Sequence, residues 1–183
     1  QFVIRIHSGE VTVPPKALTA LFNEHILDYF GAPLNDLTVT TADNELVAKG
    51  GVRLWGWFPG IWLPLSLSGT LELDADNQLI YAPEGVKVLG IPLGGLLRGL
   101  GIKLSWLLSL ERGGAELVAS QLELDHRKVF PPPALSGNAA KLRLSDAGLH
   151  LTFSDNPAAK FVAPPVPAKS YLWVQSGDAK LYD

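Results

Sequence analysis

The sequence predicts an α+β fold with an antiparallel β-sheet and two amphipathic helices. Three observations carry this expectation. Leu63, Leu65, Leu67, Leu71 and Leu73 share one parity, while Ser66, Ser68, Thr70, Glu72 and Asp74 hold the other. Strand side chains alternate between faces, so this is a strand with one greasy side and one wet side. Two other segments repeat at helical spacing instead. Finally, the strand-like runs follow one another through short turns, which suits an antiparallel meander rather than alternating βαβ units.

In chain order, Gln1 to Val13 reads as an opening strand, with Phe2, Ile4 and Ile6 on one parity. Pro14-Pro15 then leads into the first helix, where proline is at home because its missing N–H would be unpaired anyway. Leu18, Leu21, Phe22, His25, Ile26 and Tyr29 form its apolar stripe, giving about four turns that stop near Gly31. Leu34 to Ala42 returns to period two through Leu37, Val39 and Thr41. A long hairpin follows, with WGWFPGIW at its tip and a Pro59-Gly60 turn. Leu79 to Ala82 and Val86 to Leu89 read as one strand interrupted by Pro83-Glu84-Gly85. The run IPLGGLLRGLGIKLSWLLSL places Leu93, Leu96, Leu97, Leu100, Leu104, Leu107 and Leu108 on one helical stripe. Four glycines oppose that helix at roughly 1 kcal/mol each, so burial of its leucine face must offset them. Leu117 to Asp125 is a strand, and the Pro131-Pro132-Pro133 run belongs at an edge or in a loop. Lys141 to Phe153 forms a hairpin about Asp146-Ala147-Gly148. Residues 157–168, rich in Pro and Ala, connect to a final strand or hairpin about Ser176-Gly177-Asp178. No linker divides the chain, so residues 1–183 read as one domain.

Composition narrows the function. Of 183 residues, 47% are hydrophobic and only 18% charged, against roughly 25% charged in a typical soluble domain. The mean hydropathy is +0.18. The chain thus has more apolar facing than a simple core requires, or an apolar partner. A net charge of −3 argues against a nucleic-acid partner, which would require a basic face. With no cysteine, there is no disulfide framework, thiolate metal site or cysteine nucleophile.

Catalytic and cofactor motifs are lacking. His25 lies on the apolar stripe and reads as a core histidine with one hydrogen bond. Asp125 and His126 are neighbours on a strand and point to opposite faces. His7 and His150 are isolated, and no zinc-binding helix spacing occurs, so neither a metal nor a cofactor is expected. GGLLRGLGIK fits no phosphate-loop pattern. The serines lack a G-x-S-x-G elbow. A lipid esterase would require Ser, His and Asp to converge at a cavity mouth. The aromatic tip is different: tryptophan suits a membrane–water boundary. Trp55, Trp57, Phe58, Ile61 and Trp62 are therefore candidate membrane contacts, and Arg53 a candidate for lipid phosphate. A tip folded back as a satellite core is the competing reading.

Three stretches resemble a known family. They are APLNDLTVTTADNELVAKGGVRL, LPLSLSGTLELDADNQLIYAPEGVKVLGIPLGGLL and FPPPALSGNAAKLRLSDAGLHLTF. The pattern of a strand with P-L-x-L-x-G-T-L, a turn, a strand ending in V-x-V-L-G-I-P and a leucine helix resembles bacterial LmeA-like proteins. These are related to the tubular lipid-binding (TULIP-like) superfamily. The resemblance implies a highly curved antiparallel β-sheet wrapped around the two amphipathic helices, in a non-enzymatic protein of the bacterial cell envelope, exported or membrane-anchored, that binds or transfers lipid in an apolar cavity. A phospholipid or other acyl-chain lipid and a membrane surface are then the expected partners. Leu18, Leu21, Phe22, Ile26, Leu63, Leu65, Leu67, Leu93, Leu97, Leu100 and Leu104 are the candidate cavity lining. The alternative is a structural or protein-interaction module of the envelope, using the leucine helix or the aromatic tip.

Overall fold

The structure is a computed structural model. It describes residues 2–28, 32, 34–53, 62–92, 111–112, 115–118, 121–124, 134–156, 160, 162 and 170–181. The described chain is mostly strand, with one short helical segment, and is α+β in this broad sense.

Among the described residues the strands form two sheets. The first is centred on β1 (Phe2–Val13). One edge of β1 carries β13 (Tyr171–Leu181), antiparallel. Its other edge is shared by β10 (Ala134–Gly137), parallel to Val3–Ile6, and β12 (Gly148–Ser154), antiparallel to Ser8–Val13. β11 (Ala139–Ser145) completes this sheet as the hairpin partner of β12. The expected all-antiparallel arrangement is thus corrected to a mixed sheet, because β10 enters beside β1 in the same direction.

The second sheet is antiparallel. It runs β2 (Leu34–Ala42), β3 (Glu45–Val52), β4 (Leu63–Leu73) and β5 (Leu79–Val88) as consecutive neighbours. β6 (Ile91–Pro92) folds back on the end of β5. β7 (Glu111–Arg112), β8 (Ala115–Val118) and β9 (Gln121–Leu124) continue from the start of β5 in the spatial order β9, β8, β7.

The alternation read from β4 holds in space. Leu65, Leu67 and Leu71 are buried, Leu63 and Leu73 pack against the core, and Glu72 is exposed. Gly69, which interrupts the leucines, has a steric reason. A Cβ there would stand 2.1 Å from the carbonyl oxygen of Ala82. The β4–β5 register shifts at this point, between Ser68 and Gly69. That bulge lets β5 run continuously through Pro83-Glu84-Gly85, where an interruption was expected. Of the final strand or hairpin expected about Ser176-Gly177-Asp178, the structure has the strand, running through these residues without a turn. Register shifts opposite Ser8 of β1 absorb the irregular residues. The buried parity of β1 also changes, from Ile6 to Val11 and Val13, across the same irregularity.

The facing sides of both sheets meet in one contiguous core. Ile6, Ile26, Leu151 and Phe153 are completely buried within it. β11 and β12 supply the contacts from the first sheet, and β2, β3 and β4 those from the second.

The helix differs from the four α-helical turns expected. α1 (Pro15–Ala20) passes directly into a π-helical stretch, Leu21–Ile26. The Leu27 N–H closes it by donating to the Phe22 carbonyl at 2.8 Å, an i→i−5 bond. A wider turn rotates the apolar stripe. Leu27, off the 3.6-residue stripe, is buried, while His25, on it, is half-buried. The leucine stripe from Leu93 to Leu108 lies outside the described residues, as do Asp125 and His126.

Candidate functional site

The first helical segment seals the free edge of β2. The Asn23 amide donates from Nδ2 to the Leu37 carbonyl at 2.7 Å and accepts the Leu37 N–H on Oδ1 at 2.9 Å. One turn earlier, the Val39 N–H donates to Thr19 Oγ1 at 2.9 Å. Two polar side chains thus stand in for the missing neighbouring strand, on an edge that would otherwise present unpaired backbone groups. The π turn matters here because it brings Asn23, off the predicted stripe, to face β2.

Held in this way, the helical segment stands over β1 and β13 and leaves a half-open groove of about 540 Å³. Val11 and Val13 of β1, Ala17, Ala20 and Leu21 of the helical segment, and Leu172 of β13 give it apolar walls. Thr12, Glu24, His25, Ser170 and Tyr171 complete its lining. Leu172 is on the face of β13 that pairs with Val11, yet it is 40% exposed. The inner face of the first sheet is therefore incompletely covered at this border.

Of the residues proposed from sequence as cavity lining, Leu21 lines this groove. Leu18, Ile26, Leu65 and Leu67 are in the packed core, and Phe22 and Leu63 pack against it. Their physical role is close packing within that core. Leu93, Leu97, Leu100 and Leu104 lie outside the described residues. Val11, Val13, Ala17, Ala20 and Leu172 are groove residues that sequence reasoning missed. The parity of Phe2, Ile4 and Ile6 turns these valines outward; the register shift about Ser8 brings them inward, and the β1–β13 pairing shows where that face is left uncovered.

A polar cluster adjoins the groove on the opposite face of β1. His150 stands opposite Thr12, with Nδ1 3.1 Å from Thr12 Oγ1 and Nε2 2.9 Å from Ser145 Oγ. Glu10 Oε1 is 3.7 Å from His150 Nδ1 and accepts the Tyr171 O–H at 3.0 Å. Burial, then the Arg143 guanidinium, lowers the His150 pKa below its ordinary 6.5 against the opposing pull of Glu10. Ser, His and an acid are thus neighbours, but a triad needs the acid hydrogen-bonded to the imidazole. At 3.7 Å that bond is not made, and the Thr12 hydroxyl is the closer partner. The Ala147 N–H donates to Ser145 Oγ at 3.2 Å, tying that oxygen into the hairpin turn. The cluster as built joins β1, β11, β12 and β13.

His7 lies elsewhere on the first sheet. Asp155 bonds its Nδ1, and Asp178 its Nε2 at 3.1 Å. These hydrogen bonds, the one to Asp155 first, raise its pKa above 6.5. The two carboxylates address opposite ring nitrogens, so they do not converge with His7 on one ion.

At the hairpin proposed for membrane contact, Trp62 is 39% exposed and the Arg53 guanidinium stacks 5.3 Å from its ring centre. Trp55, Trp57, Phe58 and Ile61 lie outside the described residues. Residues 160 and 162 of the Pro/Ala-rich connection are held against β13. The Trp173 Nε1–H donates to the Val162 carbonyl at 2.9 Å, and the Val162 N–H to Gln175 Oε1 at 2.9 Å. Among the described residues no helix is long and apolar enough to cross a membrane.

Compared with known proteins, the chain matches no family model, no curated sequence and no solved structure.

Proposed function

We propose that this protein binds acyl-chain lipids without chemical turnover, carrying or presenting them in a bacterial envelope to which it is exported or anchored. The observation that carries the reading is the groove between the helical segment and the β1–β13 border. Its volume of about 540 Å³ falls within the ~300–1,000 Å³ of small-ligand sites. Apolar walls with a few polar groups suit a hydrocarbon chain with a polar head. Each CH₂ removed from water contributes about 0.8 kcal/mol, so a chain is retained without charged contacts. In this reading the finer architecture is a curved sheet around two helices. The helical periodicity of Leu93, Leu97, Leu100 and Leu104 supplies the second helix and a further apolar wall. The low charged fraction and the resemblance to LmeA-like proteins support the same assignment.

Native mass spectrometry of protein purified without detergent tests it. Co-bound lipid is expected, and Ala20→Trp, which fills the groove, should remove it while the protein remains folded. An empty wild-type protein that also takes up no lipid from vesicles would refute the proposal.

A further inference from the structure

The two-residue loop between β5 and β6 contains an anomaly. Val88 pairs with Ile91, leaving Leu89 and Gly90 as the turn, with φ of +55° and +77°. Two successive positive φ values are the signature of a type I′ turn, whose first central position favours Asn, Asp or Gly. Leucine there is strained by its Cβ. Burial does not compensate, since Leu89 is 58% exposed and Ile91 60% exposed. The turn is nonetheless held in place, because the Leu89 N–H donates to the Pro64 carbonyl at 2.9 Å. An outlier that folding alone disfavours points to function.

Its surroundings indicate the partner. β3 ends and β4 begins at the same end of the second sheet as this turn. Trp62, Leu89 and Ile91 are therefore exposed at one end, with Arg53 stacked on Trp62 and Lys87 next to Val88. Asp36, beyond the start of β2, is the nearby carboxylate on these strands. The opposite end carries Asp43, Glu45, Glu72, Asp74 and Asp76 on β2–β5 and their turns, and Arg112 where β7 reaches the same level beyond β9 and β8. Among the described residues, the β2–β6 part of the second sheet is thus apolar and cationic at one end and acidic at the other.

We propose that the Leu89-Gly90-Ile91 turn is a wedge that enters an anionic bilayer surface, with Arg53 and Lys87 meeting its headgroups. The inference rests on the lipid reading of the groove and adds the surface from which the lipid is taken. The wedge accounts for both anomalies: an apolar side chain in a strained turn, and its lack of cover. The acidic end faces away from the anionic surface, which fixes the orientation.

Vesicle flotation with Leu89→Asn, Ile91→Ser and Arg53→Gln/Lys87→Gln tests the proposal. Thermal melts and groove occupancy by native mass spectrometry are followed in parallel. Asparagine suits the left-handed backbone, so Leu89→Asn should melt no lower than wild type. It should nevertheless lose about tenfold in binding to mixed phosphatidylcholine–phosphatidylglycerol vesicles, the value of one buried leucine side chain. Each lost cation should cost about fivefold at low salt, and pure phosphatidylcholine should bind weakly. Leu89→Asn floating like wild type would overturn the wedge. Equal binding to neutral vesicles would overturn its charge selectivity. A wild-type protein that carries lipid in the groove yet binds no vesicles would overturn the wedge and leave the groove reading standing. Loss of self-association in Leu89→Asn without vesicle binding by wild type would instead assign the patch to a second copy of the chain.

Discussion

Replacing Asn23 with alanine should loosen the whole helical wall of the groove, and the structure sets the size of the effect. The substitution removes two hydrogen bonds, one to each backbone group of Leu37. Each contributes about 0.5–1.5 kcal/mol net. Leu37 is only 4% exposed, so its backbone groups gain little water in return. The expected loss is therefore about 2 kcal/mol, or roughly 4–8 °C in Tm for a domain of this length. In urea the midpoint should fall with the slope unchanged, marking lost stability rather than a changed unfolded state. Asn23→Asp provides an internal control. It keeps the acceptor but sets an oxygen against the Leu37 carbonyl, so its folded-state pKa is raised. Protonation restores a donor, and the variant should recover stability as the pH falls through that raised value. A loss below about 0.5 kcal/mol in Asn23→Ala, within the range of ordinary surface changes, would refute the view that this amide substitutes for a strand.

Three further outcomes follow from the same geometry. The two partnered histidines of the first sheet should titrate on opposite sides of 6.5 in an NMR pH series: His7 above, through Asp155 and Asp178, and His150 below, through burial and Arg143. By linkage, the His7 contribution is complete below pH 6.5 and lost as pH rises through its folded value. The His150 penalty appears as pH falls below 6.5; the reverse order of titration would contradict both environments. A fluorophosphonate probe should leave Ser145 unmodified, because the acid–imidazole bond is missing. Labelling abolished by both Ser145→Ala and His150→Ala would replace lipid carriage with hydrolysis. Gly69→Val should destabilise the protein by at least 1–3 kcal/mol in a urea melt, since its Cβ would collide with the Ala82 backbone; an unchanged midpoint would mean that the bulge relaxes freely.

Much of the local structure was legible because it depends on periodicity. The leucines of β4, the hairpin about Asp146-Ala147, and Leu144, Leu149 and Leu151 facing inward all follow from a period of two. The helix start at Pro15 follows from proline's fixed φ and missing donor. Where the structure departs from the sequence reading, longer-range contacts intervene. The π turn depends on Asn23 reaching Leu37, fourteen residues away, and no helical repeat encodes that partner. Pro83 suggests a break, but a bulge opposite Gly69 lets the strand continue. Leu18, Ile26, Leu65 and Leu67 were apolar by pattern, yet whether an apolar face meets another face or an open groove depends on strand order.

By itself, then, the sequence determined which faces are apolar, where most strands begin and turn, and that the chain has little charge to spread over its surface. These are properties of neighbouring residues, set by backbone geometry and transfer from water. Tertiary structure decided that β10 and β12 share one edge of β1, that an asparagine closes β2, and that Val11 and Leu172 border a groove while Leu65 and Leu67 do not. Those outcomes require residues distant in the chain to compete for the same edge or the same volume, and only the folded arrangement resolves that competition.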